Sequence, residues 1–282
     1  MGNLARWLPR TGGGPSRTGE IRVTTVPEGA AISVFCSPNG RWVGYFSDNR
    51  LLKVSAEGGA PVEIVSTAHP RGASWGDDGF IYYSPEYSTG IFRVSDSGNA
   101  EPETLTQPDR ARAERTHRWP DALPGGRGAV FTVGTADSPG DYENAEIAVY
   151  DAGRDEVRYL GVKGAIARYS PTGHLLVMRN GVLHAVRFDL DSLQLVGSPE
   201  PVFDGIRGDP ASGMYYFAVD GEANLYYVAA REGGPQRRLV WVDREGSVRP
   251  LGLPAGKYRY PRLHPALDRI VLVLGEGHGN ND

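Results

Sequence analysis

Ser37-Pro38-Asn39-Gly40, followed by Trp42-Val43-Gly44-Tyr45-Phe46, is a tight turn feeding an apolar strand. Proline presets φ, the Asn side chain folds onto the backbone, and glycine accepts a positive φ. The chain repeats this unit in degraded form. Gly76-Asp77-Asp78-Gly79 precedes Phe80-Ile81-Tyr82-Tyr83, and Leu123-Pro124-Gly125-Gly126 precedes Ala129-Val130-Phe131. Ser170-Pro171-Thr172-Gly173 and Ala218-Val219-Asp220-Gly221 precede Leu175-Leu176-Val177 and Leu225-Tyr226-Tyr227-Val228. A last copy, His264-Pro265-Ala266-Leu267, has lost its glycine and leads into Ile270-Val271-Leu272-Val273. The fourth turn residues, at 40, 79, 126, 173, 221 and 267, are separated by 39, 47, 47, 48 and 46. That spacing is the length of one four-stranded propeller blade.

Within the first unit, alternation places strands at Ala31–Phe35, Trp42–Phe46, Leu51–Ser55 and Val62–Val65. The second unit repeats this through Ile91–Ser95 and Glu103–Thr106, and the fifth through Leu239–Asp243 and Val248–Leu251. No amphipathic helix of useful length is visible. The expected fold is therefore all-β, a propeller of about six four-stranded blades with the last one incomplete. Residues 1–19 read as a flexible linker and 20–282 as the propeller, with blades near 31–66, 71–106, 118–160, 165–203, 213–251 and, in part, 258–282. The sixth unit ends after its second strand, as a truncated reading frame would, and Ile21–Val26 is expected to supply one outer strand there.

Composition agrees with short strands and many turns: glycine (38) and proline (21) make up about a fifth of the 282 residues, against roughly an eighth on average. The net charge of −4 comes from 30 basic and 34 acidic residues well mixed along the chain. That argues against a general nucleic-acid binder. The single cysteine, Cys36, excludes an internal disulfide and reads as a small buried residue. No apolar stretch is long enough to span a membrane as a helix. Met1–Glu20 has no apolar region of the kind a signal peptide needs, so the chain as written is expected to stay in the cytoplasm and to make no membrane contact.

Several further motifs occur in order along the chain: Glu57-Gly58-Gly59, His117-Arg118-Trp119-Pro120, Leu239-Val240-Trp241-Val242-Asp243-Arg244-Glu245-Gly246 and Gly275-Glu276-Gly277. With the repeated turn they resemble the TolB-like propeller over roughly residues 20 to 282. More narrowly, they resemble the propeller that follows the kinase and transmembrane parts of many bacterial serine/threonine protein kinases. The resemblance implies a non-enzymatic sensor or protein-interaction module, extracytoplasmic (periplasmic) and coupled to a kinase. The chain itself has no Gly-rich nucleotide loop, no His-Arg-Asp catalytic loop and no Asp-Phe-Gly, so no kinase residue is carried over. Two alternatives stand beside this reading. One is an accessory propeller of a peptidase or hydrolase encoded separately; the other is a degenerate gene fragment.

Aligning the units exposes a candidate site. Five residues before the turn stand Ile32, Arg71, Arg118, Ala165, Gly213 and Arg259, while Arg168 and Arg262 stand two before it. Inner strands line a propeller's channel, so Arg71, Arg118, Arg168, Arg259 and Arg262, with neighbouring His117 and Trp119, are the expected channel-mouth site. Guanidinium groups gathered there would hold a carboxylate or phosphate bidentately. The bland reading is that these arginines face water or pair with nearby Asp and Glu, and that Trp75 and Trp119 pack between blades. The expected partner is a protein, a peptide or an anionic small molecule, bound by a monomer without a cofactor.

Three other patterns carry less. Gly72-Ala73-Ser74-Trp75-Gly76 matches the spacing of a nucleophile elbow, but a turn and a strand come after it instead of a helix. Asp137, Asp141, Glu143 and Asn144 form an oxygen-rich loop without EF-hand spacing, read as a solvated acidic loop. The six histidines (69, 117, 174, 184, 264, 278) show no metal-binding spacing.

Overall fold

The computed structural model describes residues 4–6, 8–9, 23–25, 32–98, 100–219, 221, 223–230, 239–242, 246–253, 257–263 and 269–275. The repeated turn does what its chemistry requires. Gly40, Gly79, Gly126 and Gly173 all have positive φ, between +64° and +79°. In the first copy Gly40 N–H donates to Ser37 O at 2.8 Å, and Ser37 Oγ accepts from Trp42 N–H at 3.0 Å. The turn at 264–267 lies outside the described residues, as do Asp220 of the fifth copy and everything beyond Gly275.

Each turn joins an inner strand to the next strand of an antiparallel meander. Blade 1 comprises Ile32–Cys36, Trp42–Ser47, Arg50–Ser55 and Val62–Ser66; blade 2 comprises Ala73–Trp75, Phe80–Tyr83, Phe92–Ser95 and Glu103–Thr104. Blade 3 is Glu114–Ala122, Gly128–Thr135, Glu146–Asp151 and Glu156–Lys163, and blade 4 is Ile166–Ser170, His174–Arg179, Val182–Asp189 and Gln194–Asp204. Blade 5 is Phe217–Val219, Leu225–Val228, Leu239–Val242 and Val248–Pro250, preceded by a small hairpin of Gly208–Asp209 and Met214–Tyr215. Among the described residues the helical pieces are two 3₁₀ turns, Arg110–Arg112 and Pro124–Gly126.

The number of blades differs from the expectation: five four-stranded blades form, not about six. Among the described residues the sixth repeat supplies two strands, Lys257–Leu263 and Arg269–Gly275, and two strands do not make a four-stranded blade. They enter a five-stranded sheet of another build. Arg269–Gly275 pairs with Leu4–Arg6 (Leu4 opposite Leu274) and with Leu8–Pro9 (Leu8 opposite Ile270), and Val23–Thr25 lies outside Leu4–Arg6. The inner strand of this sheet packs against Ile32–Cys36 of blade 1, so six inner strands encircle one axis.

The core lies between blades. Successive strand residues point to opposite faces, and here both faces are buried, so neighbouring residues serve different clusters. Ile81 and Tyr83 join Phe35, Phe46 and Trp75 between blades 1 and 2, whereas Tyr82 joins Phe131 and Tyr150 between blades 2 and 3. Val130 packs with Leu175 and Phe188 between blades 3 and 4. Tyr227 and Tyr226 likewise serve the two sides of blade 5. Each such buried side chain contributes about 1.5–3 kcal/mol. This double burial is why the strands read as nearly continuous apolar runs.

Candidate functional site

The inner strands carry a repeated irregularity that shapes the channel. Pairing shifts by one residue between Ile32 and Phe35, between Arg118 and Asp121, and between Arg259 and Arg262. Each is a β-bulge, which inserts an unpaired residue and re-aims the downstream side chains. The bulge begins at the repeat position that holds Ile32, Arg118 and Arg259. The next residue takes a left-handed backbone in Ser33 (φ +51°), Gly72 (φ +94°) and Trp119 (φ +54°).

Downstream of the bulges, the turn-side ends of all six inner strands frame one cavity of about 510 Å³. Phe35, Trp75 and Tyr169 provide aromatic surface, and the turn prolines Pro38, Pro124 and Pro171 form the rim. The charged residues lining it are Arg168, Arg262 and Asp121. Arg168 is buried and donates to Pro120 O (3.2 Å) and Asp121 Oδ1 (3.3 Å), so blade 4 is clipped to blade 3. Asp121 also accepts from Tyr169 N–H at 2.8 Å. Arg262 donates to Phe217 O at 3.0 Å and reaches blade 5 in the same way.

Two nucleophile types line this cavity without being poised for chemistry. Burial pushes the Cys36 thiol up to about 12, against a lowering influence of Arg262. Ser74 lies in an inner strand and its Oγ accepts from Ala122 N–H at 3.1 Å. Asp77-Asp78-Gly79 turns directly into Phe80–Tyr83 where an elbow would have a helix, so an elbow geometry is absent here.

The seven expected site residues do not gather at one mouth. Arg168 and Arg262 reach the turn-side cavity, while Arg71, Arg118 and Trp119 stand at the opposite, upstream ends of the inner strands. Arg118 is 2% exposed; it donates to Ser212 O (3.1 Å) and Tyr87 O (3.2 Å) and lies 4.1 Å over the Tyr142 ring. Burial, with the like charges of Arg71 and Arg115, lowers its pKa to about 10. Arg71 is half-buried and donates to Pro70 O at 3.0 Å. Trp119 packs between blades: its indole N–H donates to Ser212 O at 2.9 Å and its ring covers Gly72.

His117 is turned away from the channel into the blade 2–3 boundary. Its Nδ1 meets Thr106 Oγ1 at 2.7 Å, its Nε2 meets Glu114 Oε2 at 3.0 Å, and its ring packs on Phe131. Burial alone would raise the Glu114 pKa, but hydrogen bonds from His117, Tyr159 and Asp109 N–H outweigh it and hold the carboxyl at about 2. The Arg259 side chain lies outside the described residues.

Sequence reasoning passed over Asp121, Tyr169, Arg115 and Tyr142. Asp121 directly follows the quoted His-Arg-Trp-Pro run, and Arg115 stands three residues before Arg118; both were findable from that spacing. Two carboxylates of the acidic loop are committed: Asp141 Oδ1 accepts from Glu143 N–H at 2.9 Å, and Glu143 accepts from Tyr215 Oη and Asn180 N–H. Among the described residues, no group of three or more His, Cys, Asp or Glu is placed to hold a metal ion.

No protein-family model matches the chain, and no curated protein matches it. Solved structures do. One from Agrobacterium tumefaciens, assigned as TolB, superposes with a TM-score of 0.69 at 17% identity, covering 98% of this chain and 99% of that one. A luciferin-regenerating enzyme gives 0.59 at 11% identity, with 88% and 92% covered. A structure assigned as a gluconolactonase gives 0.58 at 13% identity, with 88% and 89% covered. The chain is thus an all-β propeller with TolB-like neighbours, and identities this low show the fold alone. The link to a kinase rests on the sequence motifs. The expectation of a non-enzymatic protein is corrected: enzymes share this architecture, so a propeller fold is no ground for excluding catalysis.

Proposed function

We propose that the turn-side mouth binds an extended peptide, or a comparable amphipathic ligand, that presents an anionic group. The observation that carries this reading is the convergence of six inner strands on one cavity whose charged lining is two guanidiniums to one carboxylate. The aromatic and proline surface around it suits an apolar chain, and the arginines suit a carboxylate or phosphate at its end. The motif resemblance supports a narrower reading of the same module, as the sensing or partner-binding part of a bacterial serine/threonine kinase system outside the membrane.

The test is affinity selection from two degenerate octapeptide pools, one with free C-terminal carboxylates and one amidated, read by mass spectrometry. Enrichment from the free pool, lost in an Arg262→Gln variant of unchanged melting temperature, is the expected result. Equal recovery from both pools, or capture indifferent to Arg262→Gln, moves the site elsewhere.

A further inference from the structure

Many of the described arginines are ion-paired. Arg50, Arg93, Arg112, Arg127, Arg154, Arg158 and Arg168 all sit within ion-pair distance of a carboxylate. Arg71, Arg115 and Arg118, at the upstream mouth, take part in no ion pair among the described residues. They are nevertheless close enough to act on one another: the charged groups that influence Arg118 are Tyr142, Arg71 and Arg115.

Tyr142 joins two of the three. The Arg118 guanidinium lies over its ring, and Arg115 Nη2 donates to its hydroxyl at 3.2 Å. Beyond these contacts the donors are only partly used. Arg115 donates to Pro139 O at 3.1 Å and Arg71 to Pro70 O, yet the Nε of Arg118 and of Arg115 are shielded from solvent and have no hydrogen-bond partner. Arginine cannot shed its proton near neutral pH. Like charges gathered around a buried guanidinium, with orphaned donors, are costly unless an opposite charge joins them.

We propose that Arg71, Arg115 and Arg118, with the Tyr142 hydroxyl, form an oxyanion-binding site at the upstream mouth, for a free phosphate or carboxylate group. It lies at the other end of the inner strands from the turn-side cavity and does not depend on that cavity's ligand. Arg71 and Arg115 are partly exposed and supply the accessible donors; Arg118, beneath them, supplies fixed positive potential. The geometry suits a small anion or the anionic end of a larger ligand, since two of the guanidiniums are held against one tyrosine and the third acts on them from nearby.

The experiment titrates the full chain with inorganic phosphate, and separately with citrate, against chloride at matched ionic strength, following melting temperature and calorimetric heat. Saturable stabilisation by either anion is expected, and which of the two acts assigns phosphate or carboxylate chemistry. Arg71→Ala and Arg115→Ala, chosen because the buried Arg118 is harder to replace without unfolding the protein, should each weaken binding roughly tenfold or more. Arg50→Gln, at an exposed ion-paired arginine of blade 1, should leave it unchanged. A response no larger than that to chloride, or one equally strong in both arginine variants, overturns the site; so does a response lost only in Arg50→Gln.

Discussion

Gly72 and Trp119 are pressed together where blades 2 and 3 meet: a Cβ on Gly72 would lie 2.6 Å from Cε3 of the indole and 3.1 Å from the Trp119 Cα. The Trp119 N–H donates to Arg71 O at 2.8 Å, which holds the two inner strands at this separation. Gly72→Ala should therefore both overpack the contact and strain a backbone at φ +94°. A loss of about 2–4 kcal/mol is expected from the two effects together, read by denaturant unfolding. A change below about 0.5 kcal/mol, the usual range for a surface substitution, would mean that the two strands separate easily.

Glu114 gives the fold a pH dependence of known sign. Its folded pKa, about 2, lies below the ordinary value of 4.5, so the carboxylate's contribution is complete above about pH 4.5 and is lost as pH falls toward 2. Glu114→Gln should destabilise the protein at pH 7 by about 1–3 kcal/mol, since the donors around it lose their anionic acceptor. The gap between variant and wild type should narrow steadily between pH 4.5 and 2. A constant gap across that range would show that Glu114 acts by packing alone.

The nucleophile atoms facing the turn-side cavity should be silent. With its thiol pushed up to about 12, Cys36 should react with a disulfide reagent at pH 8 roughly thirtyfold or more slower in the native protein than in denaturant, the lost thiolate being offset in part by its greater nucleophilicity. Ser74→Ala should leave any fluorophosphonate labelling unchanged and lower stability by about 1 kcal/mol, through the lost acceptor for Ala122 N–H. Fast native labelling of either residue contradicts the geometry described.

The N-terminal strands complete the last sheet. Deleting residues 1–26 strips Arg269–Gly275 of its pairing with Leu4–Arg6 and Leu8–Pro9 and leaves an open strand edge. Such edges recruit other chains. A lower melting temperature together with concentration-dependent association is the expected outcome, measured by calorimetry and light scattering. Unchanged values would show that these strands contribute nothing to the ring.

The turn glycines made the fold readable. Gly40, Gly79, Gly126 and Gly173 all adopt the positive φ that their turns demand, and the apolar runs behind them became strands, within two residues except that Ala129–Phe131 extends to Thr135. The blade number was not readable in the same way, because strands from the far N-terminus join the last sheet and local pattern carries no such partner information. The lining of the candidate cavity was legible in part. Arg168 and Arg262 reach the cavity, but the bulge between Arg118 and Asp121 adds a residue and reverses the alternation on which counting relies. His117, upstream of that bulge, is turned away from Arg118 by ordinary alternation and is committed to Glu114 and Thr106 between blades.

The Ser212 carbonyl accepts from both Arg118 and Trp119, and Pro210 O accepts from Tyr142 N–H at 3.3 Å. The hairpin leading into blade 5 thereby reaches past blade 4 and fastens onto blade 3. A ring of repeats in which each unit touches only its neighbours melts by nearest-neighbour rules, one unit able to fray before the next. Here blade 4 is bracketed by a tether that skips it. Its detachment would strain bonds that belong to the blades on either side, so these three units are expected to unfold as one cooperative block.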